Sequence, residues 1–320
     1  NRYITYDNNY IETEWWILKK FFDEGLFYEG AKILPYCTRC GTGLASHEVA
    51  QGYKEISVDT VIVPMKKKDE ENTYFLVWTT TPWTLIANVA LCVNPNEEYI
   101  KASSQGYNFI VAKKLANKVL GDDYEILETY KGSDLEYTEY EQLLPFLSVD
   151  KHAFYVTCDN YVTMEDGTGI VHIAPAFGED DARVGRKYDA PFVQMVDEAG
   201  VMKPETPFAG MRAKPTKKEM EAGAINCDVE VLKELEGRGI LFSAPKVEHE
   251  YPHCWRCDTP LIYYARESWF IKMTDPEVKA NLIANNKTIN WIPETIGTGR
   301  FGAWLENVQD WGISRNRYWG

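Results

Sequence analysis

Two Cys-x-x-Cys pairs, far apart in the chain, constrain its fold more than any other feature. Cys37 and Cys40 form the first pair, and Cys254 and Cys257 form the second. Thiolates at this spacing suit a tetrahedral zinc ion whose four positions are all filled by sulfur. We therefore expect the residues between the pairs to form one inserted domain whose two ends meet at the metal. The alternative is four thiols without a metal, although two such pairs rarely arise by chance.

The composition limits the class of protein and its partners. The 320 residues are 45% hydrophobic and 26% charged, enough for a sizeable core in two domains or in one domain with appendages. The sequence predicts no membrane span and no signal peptide, and the free cysteines favour a reducing compartment, which we take to be the cytoplasm. Because the net charge is −14, any contact with nucleic acid must be local.

Four threonines crowd the end of a predicted strand. Residues 73–76 are β-branched and aromatic, which is typical of a strand, and Pro82 ends the strand ladder because it has no N–H group. Residues 79–84 read Thr-Thr-Thr-Pro-Trp-Thr. At such a strand end, hydroxyls and freed backbone N–H groups can face a ligand. Threonine is also common in strands and at N-caps, so composition alone favours a structural role.

A second dense stretch runs from Asp166 to Asp181. It predicts a glycine turn, a strand that carries His172, a glycine-containing loop and a helix that begins near Asp180. Glycines let the backbone approach a ligand closely, although a Gly-Thr-Gly run alone is weak evidence. From the residues alone, His172 is equally well explained as a core histidine with a backbone partner.

The rest of the pattern predicts a mixed α/β (α+β) chain. Residues 1–30 predict a helix whose apolar stripe is expected to be core, and residues 215–239 also predict a helix. Short strands from Val58 onward predict a barrel-like mixed sheet with helices around it. We expect three segments: 1–57 with the first cysteine knuckle, 58–248 with the sheet, and 249–320 with the second knuckle and a return segment.

Three motifs resemble signatures of isoleucyl-tRNA synthetases, in the class I aminoacyl-tRNA synthetase family. The threonine run is similar to the first signature of their editing domain, and Asp166–Asp181 is similar to the second. Trp311–Arg317 resembles the Trp-x-Ile-Ser-Arg-x-Arg segment that follows the editing insertion. The leucyl and valyl relatives carry Arg at the position of Thr81 and an acidic residue at that of Trp83, so the isoleucyl branch fits best.

The resemblance implies a proofreading hydrolase. Its substrate would be valine misattached to the 3′ end of tRNA(Ile), with valyl-adenylate as a further candidate, and the protein would act as a monomer. A binding pocket rejects a missing methylene by only about 1–3 kcal/mol, and the isoleucyl enzyme is itself the usual example of that limit. The sequence lacks the His-Ile-Gly-His and Lys-Met-Ser-Lys-Ser motifs, so we expect no ATP-dependent aminoacylation by this chain.

The resemblance also assigns roles to individual residues. The expected catalytic residues are Thr80, Thr81 and Asp181, with Asp181 as the partner of the substrate's ammonium group. The expected substrate-binding residues are Thr79, Trp83, Thr84, Asn88 and His172. No Ser-His-Asp or Cys-His arrangement is evident, so a positioned water molecule is the expected nucleophile.

Two other functions are compatible with the sequence. A zinc-stapled module that only binds the tRNA acceptor end would share the cysteine knuckles and the aromatic residues, but it would not need Asp181 or the threonines. An unrelated zinc metalloenzyme would need an open coordination position, which a site of four cysteines does not leave.

Overall fold

The computed structural model describes residues 3–146 and 148–314, and the chain divides into two compact units. The larger unit spans residues 33–265 and contains both cysteine pairs and the threonine run. The smaller unit combines residues 1–32 with residues 266–320. Arg315 to Gly320, which include both arginines of the terminal motif, lie outside the described residues.

The described residues form short strands in the middle of the chain and helices distributed between and around them. The α-helices are α1 (Asn8–Asp23), α2 (Ser46–Val49), α3 (Ala116–Leu120), α4 (Glu179–Lys187), α5 (Lys217–Glu221), α6 (Cys227–Gly237), α7 (Pro276–Asn286), α8 (Thr295–Thr298) and α9 (Arg300–Glu306). The 3-10 helices are Pro82–Ala87, Lys113–Leu115 and Gly132–Leu135. The strands are β1 (Phe27–Cys37), β2 (Thr42–Gly43), β3 (Tyr53–Asp59), β4 (Val61–Lys66), β5 (Thr73–Thr79), β6 (Ala90–Val93), β7 (Glu98–Ser104), β8 (Tyr107–Ala112), β9 (Glu125–Lys131), β10 (Tyr155–Cys158), β11 (Ile170–Ile173), β12 (Lys246–Pro252), β13 (Ile262–Ile271) and β14 (Trp311–Gly312).

An eight-stranded mixed sheet forms the centre of the larger unit. Its order is β10-β6-β11-β5-β8-β7-β9, and β4 pairs with β5 along its whole length. The other edge of β5 is shared, because β8 pairs with residues 73–75 and β11 pairs with Trp78. The sheet is therefore curled like half a barrel, which confirms the predicted barrel-like mixed α/β fold. The threonine run begins where β5 ends.

Apolar residues cover both faces of this sheet near β5. All four residues of β6 are buried, and Phe75 and Val77 in β5 are fully buried. Such continuous burial is typical of strands that are packed on both faces. Each large apolar side chain buried here contributes about 1.5–3 kcal/mol to folding. The end of β5 is therefore a rigid place from which to present polar side chains.

A two-stranded antiparallel ribbon, β3 with β12, also belongs to the larger unit. Its register runs from Asp59 opposite Lys246 to Tyr53 opposite Pro252. The segment boundaries predicted from the sequence fall inside this ribbon, where Ser57 lies opposite Glu248. Those boundaries remain predictions, since the compact units divide at residues 32/33 and 265/266.

Two helix predictions need correction. The helix predicted over residues 215–239 is two helices, α5 and α6, because Gly223 adopts a φ of +97° and Asn226 caps α6. The apolar stripe of α1 is only partly core: Leu18 and Phe21 pack in a cluster of the smaller unit, whereas Trp15 and Phe22 are 71% and 61% exposed. None of the helices in the described residues has the length and apolar character needed to cross a membrane.

Candidate functional site

The two cysteine pairs meet in the larger unit. β1 ends at Cys37, and Gly41, with a φ of +65°, lets the chain turn back into β2. The four Sγ atoms lie within 4.8 Å of one another, with separations of 3.4 Å for Cys37–Cys257 and 4.0 Å for Cys40–Cys254. Sulfurs around a tetrahedral zinc ion lie about 3.8 Å apart, because each Zn–S bond is about 2.3 Å. The cluster therefore fits zinc in size and in ligand type.

The surroundings of the cluster suit a closed structural site. The Cys40 backbone N–H donates to Cys37 Sγ at 3.4 Å, and Thr259 Oγ1 lies 3.3 Å from Cys257 Sγ. Hydrogen bonds of this kind hold thiolates in orientation. His253, the neighbour of Cys254, is not part of the cluster, and its Nδ1 lies 2.9 Å from the Tyr251 carbonyl oxygen.

A cavity of about 400 Å³ lies at the end of β5 in the larger unit. One wall is the threonine run, a second comes from β11 and the start of α4, and a third comes from the β3–β12 ribbon with the start of β13. The cavity brings together the following residues predicted from the sequence: Thr79, Thr80, Thr81, Trp83, Thr84, His172 and Asp181.

Threonine hydroxyls form a hydrogen-bonded chain on the first wall. Thr79 Oγ1 lies 3.3 Å from Thr81 Oγ1, which lies 3.0 Å from Thr84 Oγ1. The Thr84 hydroxyl donates to the Thr81 carbonyl oxygen at 2.7 Å. The Thr80 hydroxyl has no hydrogen-bond partner among the described residues, and it lines the cavity. Thr80 is therefore free to bind a ligand, while Thr79, Thr81 and Thr84 hold one another in place.

His172 is buried at the end of this chain of hydroxyls. Its Nε2 lies 3.0 Å from Thr84 Oγ1, and burial lowers the pKa of His172 to about 4. The imidazole is therefore neutral at pH 7. Because Thr84 gives its only proton to a carbonyl oxygen, we assign the ring proton to Nε2, which then donates to Thr84. Nδ1 is left as an acceptor without a partner among the described residues.

Asp181 is the acid of α4 that faces the cavity. Its Oδ2 accepts a hydrogen bond from the Ala174 backbone N–H at 2.9 Å. Gly178 leaves room for the carboxylate, because a Cβ at that position would lie 2.8 Å from Asp181 Cγ. Burial raises the pKa of Asp181 to about 7, and the charge of Asp180 adds to the shift. Asp180 itself is exposed and pairs with Arg183 at 2.8 Å.

Trp83 forms an apolar corner of the cavity. It is 3% exposed, and its ring meets that of Phe177 edge to face with the centroids 4.9 Å apart. Its Nε1 has no hydrogen-bond partner among the described residues. Trp83 therefore limits the space beside the hydroxyls and keeps one donor unused.

Asn88 does not reach the cavity, although the sequence predicts it as a substrate contact. Its Nδ2 donates to the Ala90 carbonyl oxygen at 2.8 Å, and its Oδ1 accepts from the Tyr140 hydroxyl at 2.6 Å. Both ends of the amide are thus used inside the fold. Asn88 links the residues that follow the 3-10 helix Pro82–Ala87 to the core.

Aromatic residues on the third wall were missed from the sequence. They are Tyr53 on β3, His249 and Tyr251 on β12, and Tyr263 on β13. His249 Nε2 is buried without a hydrogen-bond partner among the described residues. His249 and Tyr251 are two residues apart, which places both on one face of a strand. This spacing is the one feature of the sequence that could have indicated them. The pairing of that strand with β3, about 190 residues earlier in the register, has no local signal.

Comparisons with known proteins show which family this chain belongs to. Residues 1–320 match the family described as tRNA synthetases class I (I, L, M and V). The chain is 50% identical to isoleucine–tRNA ligases of Clostridium novyi and Clostridium acetobutylicum, and each match covers 100% of this chain and 30% of the relative. A solved structure of the P. knowlesi cytosolic leucyl-tRNA synthetase editing domain is 13% identical, with a TM-score of 0.46, and covers 61% of this chain and 98% of that one.

The chain spans about 30% of the length of the curated relatives it matches. Its likeness to isoleucine–tRNA ligases nevertheless extends over its whole length, as the three sequence motifs predicted. By this full-length match, the chain belongs to the class I tRNA synthetase family that comprises the I, L, M and V members.

Proposed function

We propose that this chain is the editing part of an isoleucyl-tRNA synthetase and hydrolyses the ester between valine and tRNA(Ile). The observation that supports this most directly is the meeting of Asp181, His172 and the threonine run on one cavity. Such a cavity offers a carboxylate for an ammonium group, a small apolar corner for a short aliphatic side chain, and hydroxyls for an ester.

Asp181 binds the substrate's ammonium group in this proposal. A buried carboxyl whose pKa is near 7 is poorly stabilised as an anion by the protein alone. A cation beside it removes much of that penalty, so the carboxylate and the ammonium stabilise each other. His172, which is neutral and buried, then stands beside the valine side chain and excludes the longer chain of isoleucine by its volume.

Hydrolysis itself needs water and an oxyanion partner. Water adds to the ester carbonyl carbon, the bond to the ribose oxygen breaks, and that oxygen takes a proton, which releases valine and tRNA. In this proposal the Thr80 hydroxyl, which lines the cavity, stabilises the developing oxyanion. Thr81, whose N–H donates to Thr79 Oγ1 at 3.1 Å, keeps the threonine run in place. The neighbouring hydroxyl of the terminal ribose helps to position the water.

The aromatic wall suits the nucleoside end of the same substrate. Tyr53, Tyr251 and Tyr263 offer flat apolar surfaces on which a base can stack, worth about 1–3 kcal/mol per stacked base in other proteins. His249 Nε2 offers a hydrogen-bonding group that none of the described residues binds. Because the net charge is −14, recognition of the tRNA end depends on these local contacts and not on a general attraction to phosphate.

The rest of the chain supports the site. We assign the editing domain to residues 58–248, and the knuckle segments to 1–57 and 249–320. Zinc held by the four cysteines would join the two knuckles without contacting substrate, because sulfur fills every position. The protein acts as a monomer in the cytoplasm in this proposal.

The direct test is deacylation by the 320-residue chain, with Val-tRNA(Ile) and Ile-tRNA(Ile) compared at equal concentrations. We expect release of valine from Val-tRNA(Ile) and little release of isoleucine. Tight binding of the tRNA acceptor end without hydrolysis of either ester would instead support the non-catalytic binding module.

Thr81 and Thr84 are expected to act by position and not as nucleophiles. Their hydroxyls are engaged with each other, and His172 is too weak a base to activate Thr84, with a pKa of about 4. Thr81→Ala should slow hydrolysis about tenfold or more through the lost hydrogen bonds, whereas exposed Thr129→Ala should not. Mass spectrometry of the quenched reaction should show no valylated protein, and a valyl-threonine adduct would contradict this prediction.

His172→Ala is expected to relax the rejection of isoleucine. Removing the imidazole opens space beside the apolar corner, and one methylene is worth about 1–3 kcal/mol of discrimination. The ratio of Val-tRNA(Ile) to Ile-tRNA(Ile) hydrolysis should fall by about 10- to 100-fold. His152, an exposed histidine, provides the control. An unchanged ratio in His172→Ala would leave His172 with a purely structural role.

A further inference from the structure

Asp228 and Lys214 form an ion pair inside the larger unit, and neither was predicted as a site residue. Asp228 Oδ2 and Lys214 Nζ are 2.5 Å apart, and the side chains are 6% and 12% exposed. Asp228 lies in the first turn of α6, where the helix N-terminus favours a negative charge. Because desolvation offsets the attraction within a buried pair, such a pair is a poor source of stability. Its other contacts indicate a different role.

Asp228 binds the start of the 3-10 helix Pro82–Ala87, in which the threonine run ends. Its Oδ1 accepts a hydrogen bond from the Trp83 backbone N–H at 3.1 Å. A threonine in the N-cap position, here Thr81, would ordinarily accept such a bond. The Thr81 side chain makes no capping bond and instead contacts the hydroxyls of Thr79 and Thr84. Asp228 thus supplies the missing acceptor, and the Thr81 hydroxyl remains in the hydrogen-bonded chain of threonines.

Lys214 connects the same pair to the opposite wall. Its Nζ lies 5.6 Å from the centroid of the Tyr251 ring, within the range of a cation–π contact. The Tyr251 hydroxyl in turn donates to the Leu261 carbonyl oxygen at 2.7 Å, and both residues line the cavity. One buried ion pair therefore contacts the threonine run on one side and the aromatic wall on the other.

We propose that Asp228 and Lys214 are positioning residues, which hold the threonine run and the aromatic wall at the separation that ester hydrolysis requires. This inference rests on the proposed editing function. Asp228 acts mainly as the acceptor for the Trp83 N–H, and Lys214 holds Asp228 in place through the ion pair while contacting the Tyr251 ring.

Two double variants distinguish the effect of losing the hydrogen-bond acceptor from the effect of losing the buried charges. Asp228→Leu with Lys214→Met removes both charges and the acceptor, whereas Asp228→Asn with Lys214→Met removes both charges but keeps an oxygen that can accept from Trp83. We expect the Leu variant to lower kcat for Val-tRNA(Ile) about tenfold or more with little change in KM. We expect the Asn variant to recover most of that loss. The exposed pair Glu98 and Lys113, changed to Gln and Met, serves as the control.

Hydrogen exchange at the Trp83 amide, followed by NMR, gives a readout independent of hydrolysis. The Leu variant should exchange this amide much faster than the Asn variant, with melting temperatures of the two close together. Equal kcat values in the two variants, or faster exchange without a change in kcat, would overturn the positioning role. If the unaltered chain hydrolyses no Val-tRNA(Ile), the proposed function fails. Exchange of the Trp83 amide still tests the contact in that case, because equal exchange rates in the two variants would show that Asp228 does not hold this amide.

Discussion

Asp181→Asn is expected to lower kcat/KM for Val-tRNA(Ile) hydrolysis by about 30- to 5,000-fold. The range corresponds to about 2–5 kcal/mol for leaving one member of a buried charge pair without its partner. The asparagine oxygen can still accept from the Ala174 N–H, so the local fold is kept. Deacylation rates at several substrate concentrations provide the measurement. Asp180→Asn is the matched control, because Asp180 is exposed and pairs only at the surface with Arg183.

The same substitution should stabilise the protein above pH 7. The pKa of Asp181 is about 7 in the folded protein and 3.8 for an ordinary aspartate. Between pH 3.8 and about pH 7, Asp181 is protonated in the folded state and ionised in the unfolded state. The stability that the protonated form of Asp181 provides is therefore lost as the pH rises through this range. Asparagine has no proton to lose. At pH 8 we expect Asp181→Asn to raise the free energy of unfolding by about 1–3 kcal/mol, and at pH 3.5 we expect no gain.

The pH profile of hydrolysis offers a further check on Asp181. Because the proposal has the substrate's ammonium bind the ionised carboxylate, we expect kcat/KM to rise with pH to a plateau, with a midpoint near the free-protein pKa of about 7. The Asp181→Asn variant should lack this step. Two results would contradict the ammonium-binding role of Asp181: a large loss of rate in Asp180→Asn, or an Asp181→Asn variant that is less stable but fully active. Asp181 would then only stabilise the N-terminus of α4.

Zinc removal is expected to produce the second large effect. Cys37→Ser combined with Cys254→Ser takes one ligand from each pair and should abolish binding of the single zinc ion per chain. Structural zinc contributes about 10–16 kcal/mol in small zinc-finger peptides. Here a separate sheet core remains, so we expect the knuckle region to loosen while β5 and β6 stay folded. Elemental analysis gives the stoichiometry, and hydrogen exchange shows which strands lose protection.

Cys158→Ala provides the control for the zinc prediction. Cys158 is buried in the sheet region and lies outside the four-cysteine cluster, so its loss should reduce stability without releasing metal. Protein purified under reducing conditions that contains no metal would contradict the zinc assignment. Uniform loss of protection across β5 and β6 in the serine variant would contradict the separate core.

The local parts of the site could be predicted from the sequence, because motif and turn lie together in the chain. The threonine run, the strand with His172 and the helix with Asp181 are each short segments whose residue types indicate their form. The position of Asn88 could not be predicted in this way, because its Oδ1 accepts a hydrogen bond from Tyr140, which lies 52 residues away in the sequence. The exposure of Trp15 was equally out of reach, because periodicity shows that a helix has an apolar face but not what covers it.

The aromatic wall of the cavity also could not be predicted from local sequence patterns. Tyr53 and Tyr251 belong to strands that pair across most of the chain, and the register of distant strands is set by the fold as a whole. The Asp228 acceptor is similar: nothing near Asp228 in the sequence signals that its oxygen serves the backbone of Trp83.

The β3–β12 ribbon also bears on how such a domain can be gained or exchanged in evolution. Thr60 and Pro245 are joined by a backbone hydrogen bond of 3.1 Å, so the chain enters and leaves the sheet region at adjacent points. A surrounding protein has to bridge a gap of only about 5 Å, the distance across an antiparallel pair. Loop-closure entropy grows slowly with length, so nearly two hundred residues can be accommodated with little more penalty than a long surface loop. The whole region between Thr60 and Pro245 is thereby portable, because its removal or replacement leaves two chain ends that a short turn can rejoin.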